Sequence, residues 1–228
     1  LRLPKLAPRL KEAGLARVNI SLDTLKTDTF SSLTRRDRMK DTFAGIDAAV
    51  EAGFRPLKFN AVAMRGVNED ELVDLVNFAL SVDGEMRFIE QMPLDAGHIW
   101  SREKMVTGEE ILERLSEAFE LTEAPGRGAA PAEKFLINGG PATIGVIRSV
   151  TRPFCGACDR VRLTADGQIR NCLFARTESD LLGVLRSGGS DDDIAELLHK
   201  SIAGKLPGHG INDPGFLQPD RPMSAIGG

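Results

Sequence analysis

The chain has 228 residues, 42% of them hydrophobic and 27% charged, a globular composition that excludes an intrinsically disordered chain and leaves room for one full core or two small ones. A formal net charge of −4 excludes a general nucleic-acid or anionic-membrane surface, which needs a basic excess, so any anion site must be local. The longest apolar runs are short and broken by charge, without a signal-peptide pattern or spanning segment, so a cytoplasmic protein with no membrane or nucleic-acid partner is expected.

The chain opens on Leu1 and runs straight into a helical pattern, as a piece of a longer protein would. Lys5 to Ala13 is predicted as a helix ending at Gly14, followed by a strand from Arg17 to Ser21. The motif repeats, with a helix from Met39 to Ala52 ending at Gly53 and a strand from Leu57 to Ala63. Both helices leave through Glu-Ala-Gly, where glycine supplies the left-handed residue that turns the chain back. A third unit follows, with a helix from Glu69 to Ser81, a turn at Asp83-Gly84 and a strand from Glu85 to Gln91. Parallel strands with crossover helices are the natural expectation.

Side chains two apart on a strand share a face. Val18, Ile20, Leu57, Phe59, Ala61, Met86 and Phe88 make one apolar face, and Arg17, Asn19, Ser21, Lys58, Asn60, Arg87 and Gln91 the opposite one. A fully packed parallel sheet would place Val or Leu there, so the polar face is expected to line a cavity, as inside an open or partial β/α barrel. Val62 and Ile89 fall on the polar side and Glu90 on the apolar one, which breaks the pattern.

After Met92-Pro93 the composition shifts, and a boundary is placed near residue 100, giving domains 1–100 and 101–228. Gly108 to Phe119 is predicted as an amphipathic helix, Thr122 to Pro131 as a loop, Thr143 to Ser149 as a strand and Asp191 to His199 as a helix. The tail from Gly208 is rich in Gly and Pro and offers little to bury.

All three cysteines lie in one stretch: Cys155-Gly-Ala-Cys158, then Cys172, with Asp166-Gly167 as a hairpin turn between strands Arg160 to Thr164 and Gln168 to Cys172. A hairpin returns Cys172 beside the pair, so shared metal ligation is the economical explanation. Zinc would need a histidine as fourth ligand, from His98, His199 or His209, whereas a [4Fe–4S] cluster on three cysteines would leave one iron open to substrate. Unrelated buried thiols or a redox Cys-x-x-Cys leave Cys172 unexplained. Between Thr151 and Arg176 stand five arginines (152, 160, 162, 170 and 176) against two aspartates (159 and 166). They suit phosphate or a planar base edge, or else form a solvated face or offset thiolate charge.

The run Phe154-Cys155-Gly-Ala-Cys158-Asp159-Arg160-Val161-Arg162-Leu163, then Asp166-Gly167 and Cys172-Leu173-Phe174, closing on Gly227-Gly228, resembles the MoaA family of GTP 3′,8-cyclases in molybdenum cofactor biosynthesis. Val18 to Asp23, Lys58-Phe59-Asn60 and Arg87 to Pro93 match the same family in the same order. The resemblance implies a radical S-adenosylmethionine lyase on an incomplete β/α TIM-type barrel, here lacking its first strands, with a C-terminal extension that holds a second [4Fe–4S] cluster. It implies that Cys155, Cys158 and Cys172 ligate that cluster. Lys58, Arg87, Arg160, Val161 and Arg162 would contact GTP, with Arg162 nearest the reacting centre, and Ser21 and Met92 would contact S-adenosylmethionine. Gly227 and Gly228 would form a tail that supports catalysis.

Taken alone, Ser21 could begin a turn, Met92 could be core and Lys58 could pair with a buried acid. The family's Cys-x3-Cys-x2-Cys loop, which generates the radical, is not in this sequence, so the chain alone is expected to be inactive and the first cluster to lie in a missing N-terminal part. The resemblance also implies a downstream partner, cyclic pyranopterin monophosphate synthase (MoaC), and leaves a homodimer open. The alternative from another class is a non-enzymatic module with structural zinc on three cysteines and one histidine, and an arginine-rich binding face.

Overall fold

The computed structural model describes residues 2–226, which form two compact units. One contains the chain up to Gln91 together with Lys104–Thr151; the other contains Met92–Glu103 and the chain from Arg152 onward.

The first unit runs α1 (Leu3–Glu12), β1 (Val18–Ser21), α2 (Thr27–Thr34), α3 (Met39–Glu51), β2 (Leu57–Ala63), α4 (Leu72–Ser81), β3 (Gly84–Glu90), α5 (Gly108–Ser116), β4 (Leu121–Glu123), β5 (Glu133–Ile137) and β6 (Thr143–Ile147). Gly14 and Gly53, after the two Glu-Ala-Gly exits, take φ of +91° and +68°, the left-handed turn that a Cβ would strain. The six strands form one sheet in the order β1-β2-β3-β6-β5-β4. β1, β2, β3 and β6 run parallel, while β5 and β4 continue the sheet antiparallel. The α/β expectation with parallel strands therefore holds for this sheet.

Leu57, Phe59, Ala61 and Ala63 alternate into the core from β2, joined by Met86 and Phe88 from β3 and by Ile144 and Val146 from β6. Helices α3 and α4 cover them with Ile46, Ala49, Leu75, Val76 and Ala79. Helix α4 starts at Leu72 rather than Glu69 because the preceding residues are used in tertiary bonds. The Asn68 amide donates to the carbonyls of Asp23 and Val62, and the Glu71 carboxylate accepts from Thr24 Oγ1 and Leu25 N. Compactness divides the chain otherwise than at residue 100, because β6 pairs with β3 and brings β5 and β4 with it.

The second unit holds β7 (Arg162–Leu163), β8 (Gln168–Arg170) and β9 (Ser179–Asp180) in a three-stranded antiparallel sheet, followed by α6 (Leu181–Arg186) and α7 (Asp191–Ala203). Ser190 and Asp193 form a capping box at the start of α7, satisfying backbone donors that the first turn leaves open. The Gly- and Pro-rich tail buries more than its composition suggests: Ile211 is 6% exposed and Ile226 fully buried. No helix among the described residues is long and apolar enough to cross a membrane.

Candidate functional site: a polar sheet face and a cysteine hairpin

Register brings the polar residues of the sheet into rows. Ser21 lies opposite Asn60, Asn60 opposite Arg87, Arg87 opposite Gly145, and Gly145 opposite Lys134. In the next row Asn19, Lys58 and Glu85 are neighbours. Ser21, Lys58 and Arg87 thus lie on one face, as the alternation predicts. Gly145 makes room for Arg87: a Cβ there would sit 2.9 Å from Arg87 Cγ and 3.1 Å from Ala132 Cβ.

Lys58 pairs with a buried acid in this structure, its Nζ 3.3 Å from Glu85 Oε1. That contact is close enough for ion pairing but not aligned as a hydrogen bond, so Glu85 Oε1 still counts among buried side-chain atoms without a hydrogen-bond partner. Asn60 Oδ1 and Arg87 Nε share this condition. Buried polar atoms are ordinarily satisfied, so three orphans on one face mark a surface suited to a polar ligand. Burial lowers the Arg87 pKa, with the Glu85 charge opposing the shift. Burial pushes Glu85 up, but hydrogen bonds from Lys134 and Thr143 and the charges of Lys58 and Lys134 outweigh it and leave that carboxyl below its usual range.

Two residues here had no assigned role in the sequence. Lys134 Nζ reaches Glu85 at 2.9 Å, and the only signal for it was a strand that the sequence did not reveal. Glu90, the exception to the alternation, is fully buried. It accepts from Gly108 N (2.7 Å), Val150 N (2.8 Å), Thr151 N (2.9 Å) and Thr151 Oγ1 (2.5 Å). An acid in the apolar register was its visible sign.

In the second unit Cys155–Ala157 forms a 3-10 turn rather than the start of an α-helix, with Cys158 N bonded to Cys155 O at 3.1 Å. The hairpin then pairs Arg162 with Arg170 and Leu163 with Ile169. Its turn is closed by Thr164, whose Oγ1 donates to Asp166 Oδ1 and accepts from Gln168 N, while Gly167 takes φ of +78°. Cys172 follows β8 by two residues, and its Sγ accepts from Phe174 N at 3.4 Å. Arg160 Nη1 approaches Cys158 Sγ at 3.8 Å, with its guanidinium 5.1 Å above the Phe154 ring. Burial raises the Cys155 pKa, the neighbouring Cys172 and Cys158 add to the rise, and the backbone N–H of His209 opposes it.

The opposed arginines have different surroundings. Arg170 is 3% exposed and paired with Glu178 at 2.5 Å. Arg162 donates to Ile226 O at 3.2 Å, and burial followed by the Arg170 charge lowers its pKa. Val161 is exposed between Arg160 and Arg162. Met92 is half-buried at the start of the second unit. Gly227 and Gly228 lie outside the described residues.

No group of three or more His, Cys, Asp or Glu side chains among the described residues is gathered as a single metal ion requires. The zinc alternative therefore finds no support here. The cysteines suit an iron–sulfur group in their chemistry: all three are thiols and partly exposed, and each sulfur has a nearby N–H donor. N–H donors to sulfur are among the levers that tune such a group.

The family model described as Molybdenum Cofactor Synthesis C matches residues 84–211, and that of the Radical SAM superfamily residues 1–79. A GTP 3′,8-cyclase of Streptomyces coelicolor is 58% identical over 229 residues, covering 99% of this chain and 67% of that protein. One of Corynebacterium glutamicum is 56% identical over 234 residues, covering 100% of this chain and 62% of that protein. One of Mycolicibacterium smegmatis is 49% identical over 233 residues, covering 100% and 64%. The chain thus spans 62% to 67% of the length of these relatives.

Proposed function

Since the chain belongs to the molybdenum cofactor synthesis family together with these GTP 3′,8-cyclases, we propose that it serves the conversion of GTP to 3′,8-cyclo-7,8-dihydro-GTP, on an incomplete β/α barrel with a cluster-bearing C-terminal extension. The reaction breaks the ribose C3′–H bond, forms a C3′–C8 bond, and is completed by one electron and one proton delivered to the purine. S-adenosylmethionine and its own iron–sulfur cluster supply the hydrogen-abstracting radical when bound. The Cys-x3-Cys-x2-Cys loop for that cluster is not in this sequence, whose three cysteines are Cys155, Cys158 and Cys172.

In this reading the chain's own residues bind and orient. Cys155, Cys158 and Cys172 would hold a [4Fe–4S] cluster, which with three protein ligands would offer the guanine a Lewis-acidic site. Arg160, Val161 and Arg162 contact the nucleotide, Arg162 as the catalytic side chain nearest the reacting centre. Lys58 and Arg87 neutralise the triphosphate, for which Lys58 exchanges its contact with Glu85. Ser21 and Met92 contact S-adenosylmethionine, and Gly227 and Gly228 complete the site from the tail. Fixing C8 against C3′ is where the protein gains rate, because a held near-attack geometry removes several kcal/mol from a barrier. The setting is cytoplasmic, and the product passes to a cyclic pyranopterin monophosphate synthase. The reading is supported above all by the cysteine hairpin, in which Arg160 Nη1 approaches Cys158 Sγ and Arg162 pairs with Arg170 on the strand that leads to Cys172.

The test is anaerobic reconstitution of the chain with iron and sulfide, followed by metal analysis and an absorption spectrum with and without GTP. Roughly four irons per chain and a spectrum perturbed by GTP are expected. Uptake of zinc with no iron would overturn the cluster assignment.

A further inference from the structure

The C-terminal segment is tied to the second unit at defined points. Gln218 Nε2 donates to Asp95 O at 3.1 Å and Met223 N to Leu94 O at 2.9 Å. Arg221 makes two bonds to the Asp166 carboxylate, Nη1 to Oδ1 at 3.0 Å and Nη2 to Oδ2 at 2.5 Å, and its Nε lies 3.3 Å from Glu178. Beyond it Ile226 is fully buried and its carbonyl accepts from Arg162.

Asp166 is the turn residue of the cysteine hairpin, between the strand that carries Arg162 and the strand that leads to Cys172. Glu178, the second acid on Arg221, is the counter-ion of buried Arg170, which stands opposite Arg162. One side chain of the tail therefore engages both the turn acid of the hairpin and the counter-ion of the arginine on its second strand. The Arg221 and Asp166 side chains are 32% and 53% exposed, and pairs so open to solvent add little to global stability. A two-bonded arginine fork does fix position and orientation. We propose that Arg221 is a positioning residue: its fork on Asp166 sets the C-terminal segment in register with the hairpin, so that Ile226 meets Arg162. Its consequence for substrate rests on the reading of Arg162 as a GTP contact; the latch itself does not.

The experiment compares the reconstituted full chain with Arg221→Met, which keeps length and loses the fork, and Arg221→Lys, which keeps charge as a single point. Amide exchange over residues 223–226 is measured together with iron content, melting temperature and the GTP titration of the absorption spectrum. Arg221→Met is expected to speed exchange at Met223 and Ile226 by about tenfold or more, as local release does, and to weaken GTP several-fold, with iron content and melting temperature unchanged. Arg221→Lys is expected to recover only part of both effects. Unchanged exchange in Arg221→Met would overturn the latch. Faster exchange with unaltered GTP affinity would uphold the latch and remove Arg162 from the substrate site. If the parent chain takes up its cluster but ignores GTP, the functional reading falls while the exchange comparison still decides the latch.

Discussion

At the scale of single residues, Glu90 shows how a charged side chain can be required at an apolar position. Its carboxylate closes the N-terminus of α5 through Gly108 N and holds the turn at Val150 and Thr151, four residues before Cys155. Glu90→Gln turns one acceptor into a donor facing backbone N–H groups. Losing a buried charged acceptor in this way is expected to cost about 2–3 kcal/mol, read as a lower urea midpoint at unchanged slope. A midpoint within error of the parent would show that the turn is held by other contacts. Gly145 tests the opposite case, a position where nothing may be added. Gly145→Ala must push Arg87 or Ala132 aside, and Arg87 is the more adaptable. The melting temperature should fall, since the atom that must move is Arg87 Cγ near the backbone, and GTP affinity should fall several-fold with it; an unaltered GTP affinity would place Arg87 in the packing rather than at the ligand.

At the scale of elements, Glu85 ties β3 to three other strands of the sheet, through Lys58 on β2, Lys134 on β5 and Thr143 on β6. Its folded pKa is depressed. Its contribution to stability is therefore complete above the ordinary glutamate value of about 4.3 and is lost as pH falls through the lower folded value. Glu85→Gln should flatten the stability profile between about pH 5 and 3 relative to the parent, and a profile of identical slope would refute the coupling. The same sheet shows what sequence can reveal. β2 begins and ends where the sequence places it despite the break at Val62, because Leu57, Phe59 and Ala61 alternate with Lys58 and Asn60, and the Glu-Ala-Gly exits mark α1 and α3 because local turn chemistry decides them. β5 was not legible, because its inward-facing Glu133 reads as loop until Arg127 and Arg148, residues outside the strand, supply its counter-charges. Of the site, the hairpin with its cysteines and the polar face could be read from spacing. Arg221 could not, since its partner Asp166 lies 55 residues away.

At the scale of the whole molecule, the two units are unequal in what holds them. The clustered core, from Ala7 to Val146, lies wholly in the first unit. In the second, the buried hydrophobic residues among those described are Leu94, Ile169, Phe174, Ile211 and Ile226. For a unit of roughly 90 residues that is a thin core, of the kind that small domains reinforce with a metal or another staple. A cluster bound by Cys155, Cys158 and Cys172 would bridge the 3-10 turn at Cys155 to the end of the hairpin, and its binding free energy would then count toward folding of that unit. Without iron and sulfide, amides over residues 152–226 should exchange well before those of β2 and β3. Anaerobic reconstitution should raise protection in 152–226 while leaving the sheet as it was. Cys158→Ala should cancel that gain without moving the exchange of β2 and β3. Equal protection of both units in the iron-free chain, unchanged by the cluster, would mean that the side chains of the second unit hold it unaided and that the three thiols serve chemistry alone.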